Sequence, residues 1–245
     1  PDAQVGLAKH MVVWSPHRAW IPTDQLVARL VNRISNHVIL DAVTKGEVRI
    51  LGRRSVRLDN AANTLDWLGI NYYQRFRVGM RIRSVLRTIF PKLPADIFYH
   101  GTRPGYQKGP GSWGEIHAEG LFDTLRSVRR YDLPIYITEN GIPDKDDTHR
   151  PRFILTHLHQ LWKAMQQGIP IRGYYHWSLL DNFEWSEGYN PEFRFGLFGV
   201  DFETQERFAR TSGELYAEIC RQNSISPELV AEYDPELLPQ LFPQH

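Results

Sequence analysis

Apolar positions along the chain follow two periods in alternation. Residues 4–13 (QVGLAKHMVV), 65–73 (LDWLGINYY), 134–138 and 171–177 (IRGYYHW) are short, near-continuous apolar runs, several of them closed by polar tips. Runs of this length and composition read as strands buried on both faces. Between them the spacing changes to that of helices. Leu26, Leu30, Ile34, Val38 and Ile39 recur at helical intervals after Thr23-Asp24, which reads as a helix start, and Gly46 ends the run. Leu121, Leu125 and Val128 mark an amphipathic helix over 119–130. Phe153, Leu158, Leu161, Trp162 and Met165 form the expected inward face of a helix over 152–167, with Gly168 as its stop. Phe208, Leu215, Tyr216 and Ile219 give the apolar stripe of a last helix over 208–221.

Strand and helix thus alternate four times, the signature of an α/β fold with a parallel sheet covered by helices. In such sheets functional residues sit past the carboxyl ends of the strands. Two segments stand outside the repeat. Residues 75–90, RFRVGMRIRSVLRTIF, scatter arginines among apolar residues. They read as a loop-and-helix insertion, with a membrane-surface or partner helix as the alternative. Residues 223–245 are rich in Pro and Glu and read as an extension that packs on the outside or is partly disordered. The expected organisation is one domain over 1–222 followed by that extension.

Composition narrows the partners. The 29 Lys and Arg balance 28 Asp and Glu, leaving a formal charge of +1, so nothing argues for nucleic acid or an anionic membrane. No apolar run approaches the roughly 18 residues a membrane span needs. The single cysteine, Cys220, allows no internal disulfide and fits a reducing compartment, so a cytoplasmic location is expected. The chain opens Pro-Asp-Ala, and no signal segment is read from it. There is no Gly-rich phosphate loop and no Cys/His cluster with metal-ligand spacing, so neither metal nor cofactor is expected. His10 and His100 carry no site signal, and His176 reads as a hydrogen-bonded core residue.

The strand ends collect the polar chemistry. Asn71 and Tyr73 end the second strand, and Glu139 and Asn140 the third. Trp177 ends the fourth and is followed by Asp181, Asn182, Glu184 and Trp185. A tyrosine hydroxyl beside a carboxylate holds it ionised and oriented. Indole faces stack on the apolar faces of sugars, and a neighbouring carboxylate accepts hydrogen bonds from adjacent hydroxyls. Together these residue types point to a carbohydrate site built around a nucleophilic acid. Asp181 and Asn182 read as loop-fixing residues instead.

ITENG at 137–141, HWSLLDNFEW at 176–185 and RFGL at 194–197 resemble glycoside hydrolase family 1, with LGINYY at 68–73 and SWGEIHAEGL at 112–121 in support. The resemblance runs from about residue 4 to 221. It implies a (β/α)8 TIM barrel, with this chain supplying about strands five to eight, and the chemistry of a retaining, β-glucosidase-like exo-β-glycosidase. By resemblance Glu139 is the catalytic nucleophile, Tyr73 orients it, and Asn71 belongs to the same strand-end motif. Trp177 is the floor under the non-reducing sugar. Glu184 grips that sugar's distal hydroxyls, Trp185 is a neighbouring donor, and Asn140 is a further substrate-binding residue. The Glu184-Trp185 pair, with no Lys close behind, implies an unphosphorylated sugar. Residues 188–194 are slightly longer than the family pattern.

The larger departure is an absence. Retaining hydrolysis needs two carboxyl groups roughly 5–5.5 Å apart. In the family the second is the Glu of an Asn-Glu-Pro motif, which does not occur here; Asn190-Pro191-Glu192 has the wrong order. The resemblance therefore implies the C-terminal half of a barrel, inactive or very weak alone. A β-glycoside or oligosaccharide is the expected ligand, and an N-terminal barrel half or a second copy of the chain is the expected completing partner. Two other readings stay open: a non-catalytic half-barrel that binds carbohydrate or protein, and a decayed remnant.

Overall fold

The computed structural model describes residues 2–80, 98–101, 109–110 and 113–243, with 98–101 described by backbone alone. Strand β1 (Gly6–Pro16) leads into helix α1 (Pro22–Asn32), a π-helical turn (Arg33–His37) and helix α2 (Val38–Lys45). A hairpin of β2 (Glu47–Val48) and β3 (Val56–Arg57) precedes the long β4 (Trp67–Met80) and β5 (Phe98–Gly101). Then come α3 (Glu119–Val128), β6 (Ile135–Asn140), α4 (Arg150–Gln166) and β7 (Ile171–His176). A small antiparallel pair, β8 (Phe198–Val200) and β9 (Arg207–Ala209), is followed by α5 (Thr211–Gln222), α6 (Pro227–Tyr233) and α7 (Leu238–Leu241).

The main sheet runs β1-β4-β6-β7, parallel throughout, with β5 antiparallel to the far part of β4. One face is packed: Leu68, Ile70 and Tyr72 of β4 and Ile135 and Ile137 of β6 meet Leu121, Leu125 and Val128 of α3 and Leu161 and Ala164 of α4. Side chains alternate across a strand, so Asn71, Tyr73 and Thr138 fall on the other face. That face is open at both flanks, where Ala8, His10 and Tyr175 are exposed.

Along its outer edge β1 is partly covered by its own following helix. The Asn36 side chain accepts from Val12 N at 3.2 Å and donates to Val12 O at 2.8 Å. Asn32 repeats the pattern on Trp14, at 3.2 and 2.5 Å. Residues four apart on a helix are roughly 6 Å apart, and residues two apart on a strand nearly the same. Two amides can therefore take the place of a neighbouring strand's peptides.

Several sequence expectations change. Helix α1 starts at Pro22, and Asp24 does not cap it: its buried carboxylate accepts from Arg18 Nε at 2.8 Å and Met80 N at 3.1 Å, tying α1 to the end of β4. Leu26, Ile34 and Ile39 are exposed, while Val27, Ala28 and Leu40 are buried. The π-turn inserts an extra residue, so one 3.6 period drawn through both helices drifts off the buried face. On α4, Trp162 and Met165 face outward, and Ile154, Leu155 and Ala164 join Phe153 and Leu161 inside. Trp162 instead stacks on His159 at the surface, their rings 5.6 Å apart. Phe208 lies on β9, ahead of α5, and is exposed.

The Arg-rich segment does not form a separate insertion over its first six residues. Residues 75–80 continue β4, and Arg75 and Arg77 are buried on Glu115 at 2.7 and 2.9 Å. Residues 81–90 lie outside the described residues. No described helix is long and apolar enough to cross a membrane. The stretch after 222 joins the core: Leu229, Val230, Leu237 and Leu241 pack with Ile154 and Leu155 of α4 and Leu215 and Ile219 of α5.

Candidate active site

Strands β4, β6 and β7 are parallel, so their carboxyl ends gather on one side. The ladder slips between Ile70 and Asn71 and again between Ile137 and Asn140. Such irregularities re-aim side chains beside functional sites. Asn71 ends up opposite Glu139. The Tyr73 hydroxyl donates to Glu139 Oε2 at 2.5 Å, and Thr138 Oγ1 donates to Asn71 Oδ1 at 2.5 Å. Burial, then the bond to the Glu139 carboxylate, raise the Tyr73 pKa well above its ordinary value. Tyr73 is thus held as a donor, with the carboxylate as acceptor.

Beyond β7 the chain turns through the cis Trp177–Ser178 bond. Gly141 allows this approach, because a Cβ there would meet Trp177 O at 1.9 Å. Trp177 Nε1 donates to Glu184 Oε1 at 3.1 Å. Burial raises the Glu184 pKa. Bonds from Trp177 and Asn182 oppose that shift, and the charges of Glu139 and Asp181 add to it. Asp181 is spent on the loop, accepting from Gly196 N at 2.9 Å and from both terminal nitrogens of Arg210 at 2.9 and 2.8 Å.

These groups border one cavity of about 600 Å³. Asn71, Tyr73, Glu139, Trp177, Glu184 and Trp185 all line it, so six of the residues singled out in the sequence come together. Trp185 is 89% exposed, at the rim. Asn140 does not reach the cavity. The slip before it turns its side chain to the packed face, where it is fully buried, donating to Tyr72 O at 2.5 Å and accepting from Tyr174 at 2.9 Å. It is a strut between β4, β6 and β7.

The rest of the cavity wall is not marked in the sequence, and His10, expected to carry no site signal, is part of it. His10, Gln74, Phe76 and Trp113 line it, and Glu187 adds a third carboxyl to the cavity. Trp113 stands edge-on to Tyr73 and Phe195, ring centres 5.6 and 5.4 Å apart. The loop carrying it is pinned below by Glu115 on Arg75 and Arg77, and Gln74 Oε1 accepts from Gly114 N at 2.5 Å. The signal for His10 was its place in the alternation: on β1 it faces as Asn71 does on β4, its Cα partner. Among the described residues no group of three His, Cys, Asp or Glu stands where it could hold a metal ion.

Comparison with known proteins bears on what this cavity is. The family model described as glycosyl hydrolase family 1 matches residues 1–225. A β-galactosidase of Sulfolobus acidocaldarius is 36% identical over 223 residues, covering 85% of this chain and 41% of that protein. β-Glucosidase A of Thermotoga maritima is 36% identical over 172 residues, covering 66% of this chain and 35% of its own length. Among solved structures, a β-glycosidase from Pyrococcus horikoshii superposes with a TM-score of 0.80 at 33% identity, over 96% of this chain and 52% of that one. A β-glucosidase from Thermotoga maritima in complex with glucoimidazole gives 0.75 at 29%, over 92% and 52%. The chain therefore spans about two fifths of these curated relatives and about half of these solved chains.

Proposed function

The chain belongs to glycosyl hydrolase family 1, with the parallel sheet of a partial (β/α)8 barrel, and on that premise we propose that it carries the nucleophile side of a retaining exo-β-glycosidase. The observation that carries this reading is the Tyr73–Glu139 hydrogen bond beside the Trp177–Glu184 pair in one cavity. An unphosphorylated β-linked sugar rests on Trp177, with Glu184 and Trp185 on its distal hydroxyls. Glu139 attacks the anomeric carbon, the glycosidic bond breaks, and a covalent glycosyl-enzyme forms. Water then attacks the same carbon and releases Glu139. Both steps need a second carboxyl group, which protonates the leaving oxygen and later takes the proton from water. General acid–base assistance is worth about 10²–10⁴ in rate.

The chain has no Asn-Glu-Pro to supply that group. The completing partner is the N-terminal barrel portion that the relatives have and this chain does not span, or a second copy of the chain. A binding half-barrel without turnover is the second reading, favoured by the same absent motif. An aryl β-glucoside assay separates the two, run on the chain alone and with the N-terminal half of a relative supplied. Turnover in the mixture that Glu139→Gln abolishes supports the enzyme. Sugar binding with no turnover in either arm supports the second reading, and unchanged turnover in Glu139→Gln refutes the nucleophile assignment.

A further inference from the structure

We propose that the β2–β3 hairpin docks this chain on an anionic lipid surface, at the end of the sheet opposite the cavity. The proposal is independent of what the cavity binds. A formal charge of +1 is an average over the whole chain, and the local balance differs. Residues 45–57, KGEVRILGRRSVR, hold five cations and one acid. That acid, Glu47, pairs with Arg49 at 2.9 Å, and Asp59 just beyond pairs with Arg57 at 3.3 Å. Arg53 and Arg54 are exposed and have no ion-pair partner among the described residues. The positive ground continues sideways. Lys45 and Arg130 are exposed and border one small cavity beside the start of β6. The acid they share, Asp41, is buried and already bound by Arg33 at 2.5 Å, so three cations answer one carboxylate.

Apolar side chains accompany the charge. The hairpin turns at 50–53, where Arg53 N donates to Ile50 O at 3.0 Å and Gly52 takes a φ of 76°, the left-handed value such a turn needs. The turn lifts Leu51 to the apex, 74% exposed, and Ile50, Val56 and Leu58 are exposed around it. A Cβ added at Gly52 would meet nothing within 4 Å, so the tip is convex and open. A protein partner would need a pocket shaped to that tip, whereas a fluid interface takes it as it is. The aliphatic groups enter the acyl boundary and the guanidinium groups stay with the lipid phosphates. A soluble polyanion would use the arginines and leave Leu51 in water.

The place in the fold suits this role. The hairpin lies between α2 and the amino end of β4, and β4 has β1 on one side and β6 on the other. It therefore stands away from the outer edges of β1 and β7, where a further barrel portion would pair. Tyr73 is six residues along β4 from Trp67, about 20 Å at the rise of a strand. A bilayer at the hairpin thus leaves the cavity facing water and soluble substrates.

The test is sedimentation of the full chain with vesicles of phosphatidylcholine, alone or with about a third phosphatidylserine. The chain is expected to bind the phosphatidylserine vesicles, to release as salt rises from about 0.1 to about 0.5 M, and to bind phosphatidylcholine alone far more weakly. The double variant Arg53→Gln, Arg54→Gln is expected to bind about 30-fold more weakly, two charges' worth. Leu51→Ser is expected to lose about tenfold or more through its apolar group. Arg126→Gln on α3, exposed and paired with Asp123, serves as control and should bind as wild type does. Unchanged urea midpoints show that the variants keep the fold. No binding of wild type to phosphatidylserine vesicles overturns the proposal. A loss in the arginine variant that Leu51→Ser does not share marks a site for a soluble polyanion and overturns the lipid assignment. A dimer that Leu51→Ser dissociates, without vesicle binding, assigns the tip to a second copy and overturns it as well. Every arm reads vesicle binding or association state, so failure here leaves the glycosidase reading untouched.

Discussion

Tyr73 Oη lies 2.5 Å from Glu139 Oε2 and joins the middle of β4 to the carboxyl end of the adjacent parallel β6 through their side chains. Tyr73→Phe keeps the ring against Trp113 and Phe195 and removes only the donor. A hydrogen bond to a charged acceptor is worth about 1.5–3 kcal/mol. With the barrel completed, kcat/KM on an aryl β-glucoside is expected to fall roughly 10–150-fold, with the fold intact by circular dichroism. An unchanged value would count against Tyr73 as the residue that holds the nucleophile.

If Glu184 holds the sugar as proposed, it is expected to carry the pH dependence of binding. Its pKa is raised, first by burial, so it takes up a proton at a higher pH than an ordinary carboxylate does. Protonation removes an acceptor for the sugar hydroxyls. Affinity for a glucose analogue is therefore expected to decline on acidification before an exposed glutamate would titrate, starting above about pH 4.5. Glu184→Gln should bind weakly with no such decline. Calorimetric titration across that range decides it, and a wild-type affinity independent of pH would remove Glu184 from the clamp.

Much of this site is legible in the sequence because strand ends and residue types coincide. ITENG closes an apolar run, and that alone puts Glu139 at a carboxyl end. What stays hidden has particular causes. Register slips of one residue decide which face Asn140 takes, and nothing local marks them. The π-turn after Asn32 shifts the helical phase, so exposed Ile34 and Ile39 read as regular. His10 sits in an apolar run whose partner strand lies some 60 residues on; only pairing with Asn71 aims it at Glu139's side of the sheet. Arg75 and Arg77 read as surface charge until Glu115 is folded beneath them.

That Glu115 cluster gives a stability prediction. The carboxylate is fully buried between two guanidinium groups that are themselves at most 10% exposed. Breaking a buried pair by removing one partner costs about 3–5 kcal/mol, because charge is left uncompensated. Glu115→Gln is expected to lower the unfolding free energy obtained by urea titration by an amount of that order, and to loosen Trp113, seen as a shift in tryptophan fluorescence. The exposed pair Arg57–Asp59 serves as control, where Asp59→Asn should change stability by less than about 1 kcal/mol. Equal effects at the two sites would argue that Glu115 is not clamped.

The Asn36 amide gives a prediction about the sheet edge. Asn36→Ala uncovers Val12 N–H and C=O on the outer side of β1. An open edge is a template for another strand. The variant is expected to lose about 1–3 kcal/mol, the cost of stranding partly buried polar groups, and to aggregate faster than wild type in light scattering. Asn36→Gln, with a longer reach but the same amide, should aggregate more slowly than the alanine variant. Indistinguishable aggregation in all three proteins would show that the amide does not protect the edge.

His157 and His176, together with His37, which burial also lowers to about 4, shape how the fold responds to acid. Burial lowers His157 to about 4, and burial followed by the charges of Arg150 and His157 lowers His176 to about 3. Unfolded, both titrate near 6.5. As pH falls below about 6.5 the unfolded chain takes up protons that the folded chain refuses. Stability is therefore full above that pH and is lost between it and about pH 4, by roughly 1.4 kcal/mol per pH unit for each histidine. Carboxylates with lowered pKa, such as Glu119 at about 2 beside His117, contribute only below about pH 4.5. The two windows can thus be told apart in urea unfolding at stepped pH. His176→Phe is expected to reduce the slope between pH 6.5 and 4.5 by about one proton's worth and to leave the lower window alone. A wild-type slope already flat in that range would mean the two rings are not held neutral in the folded protein.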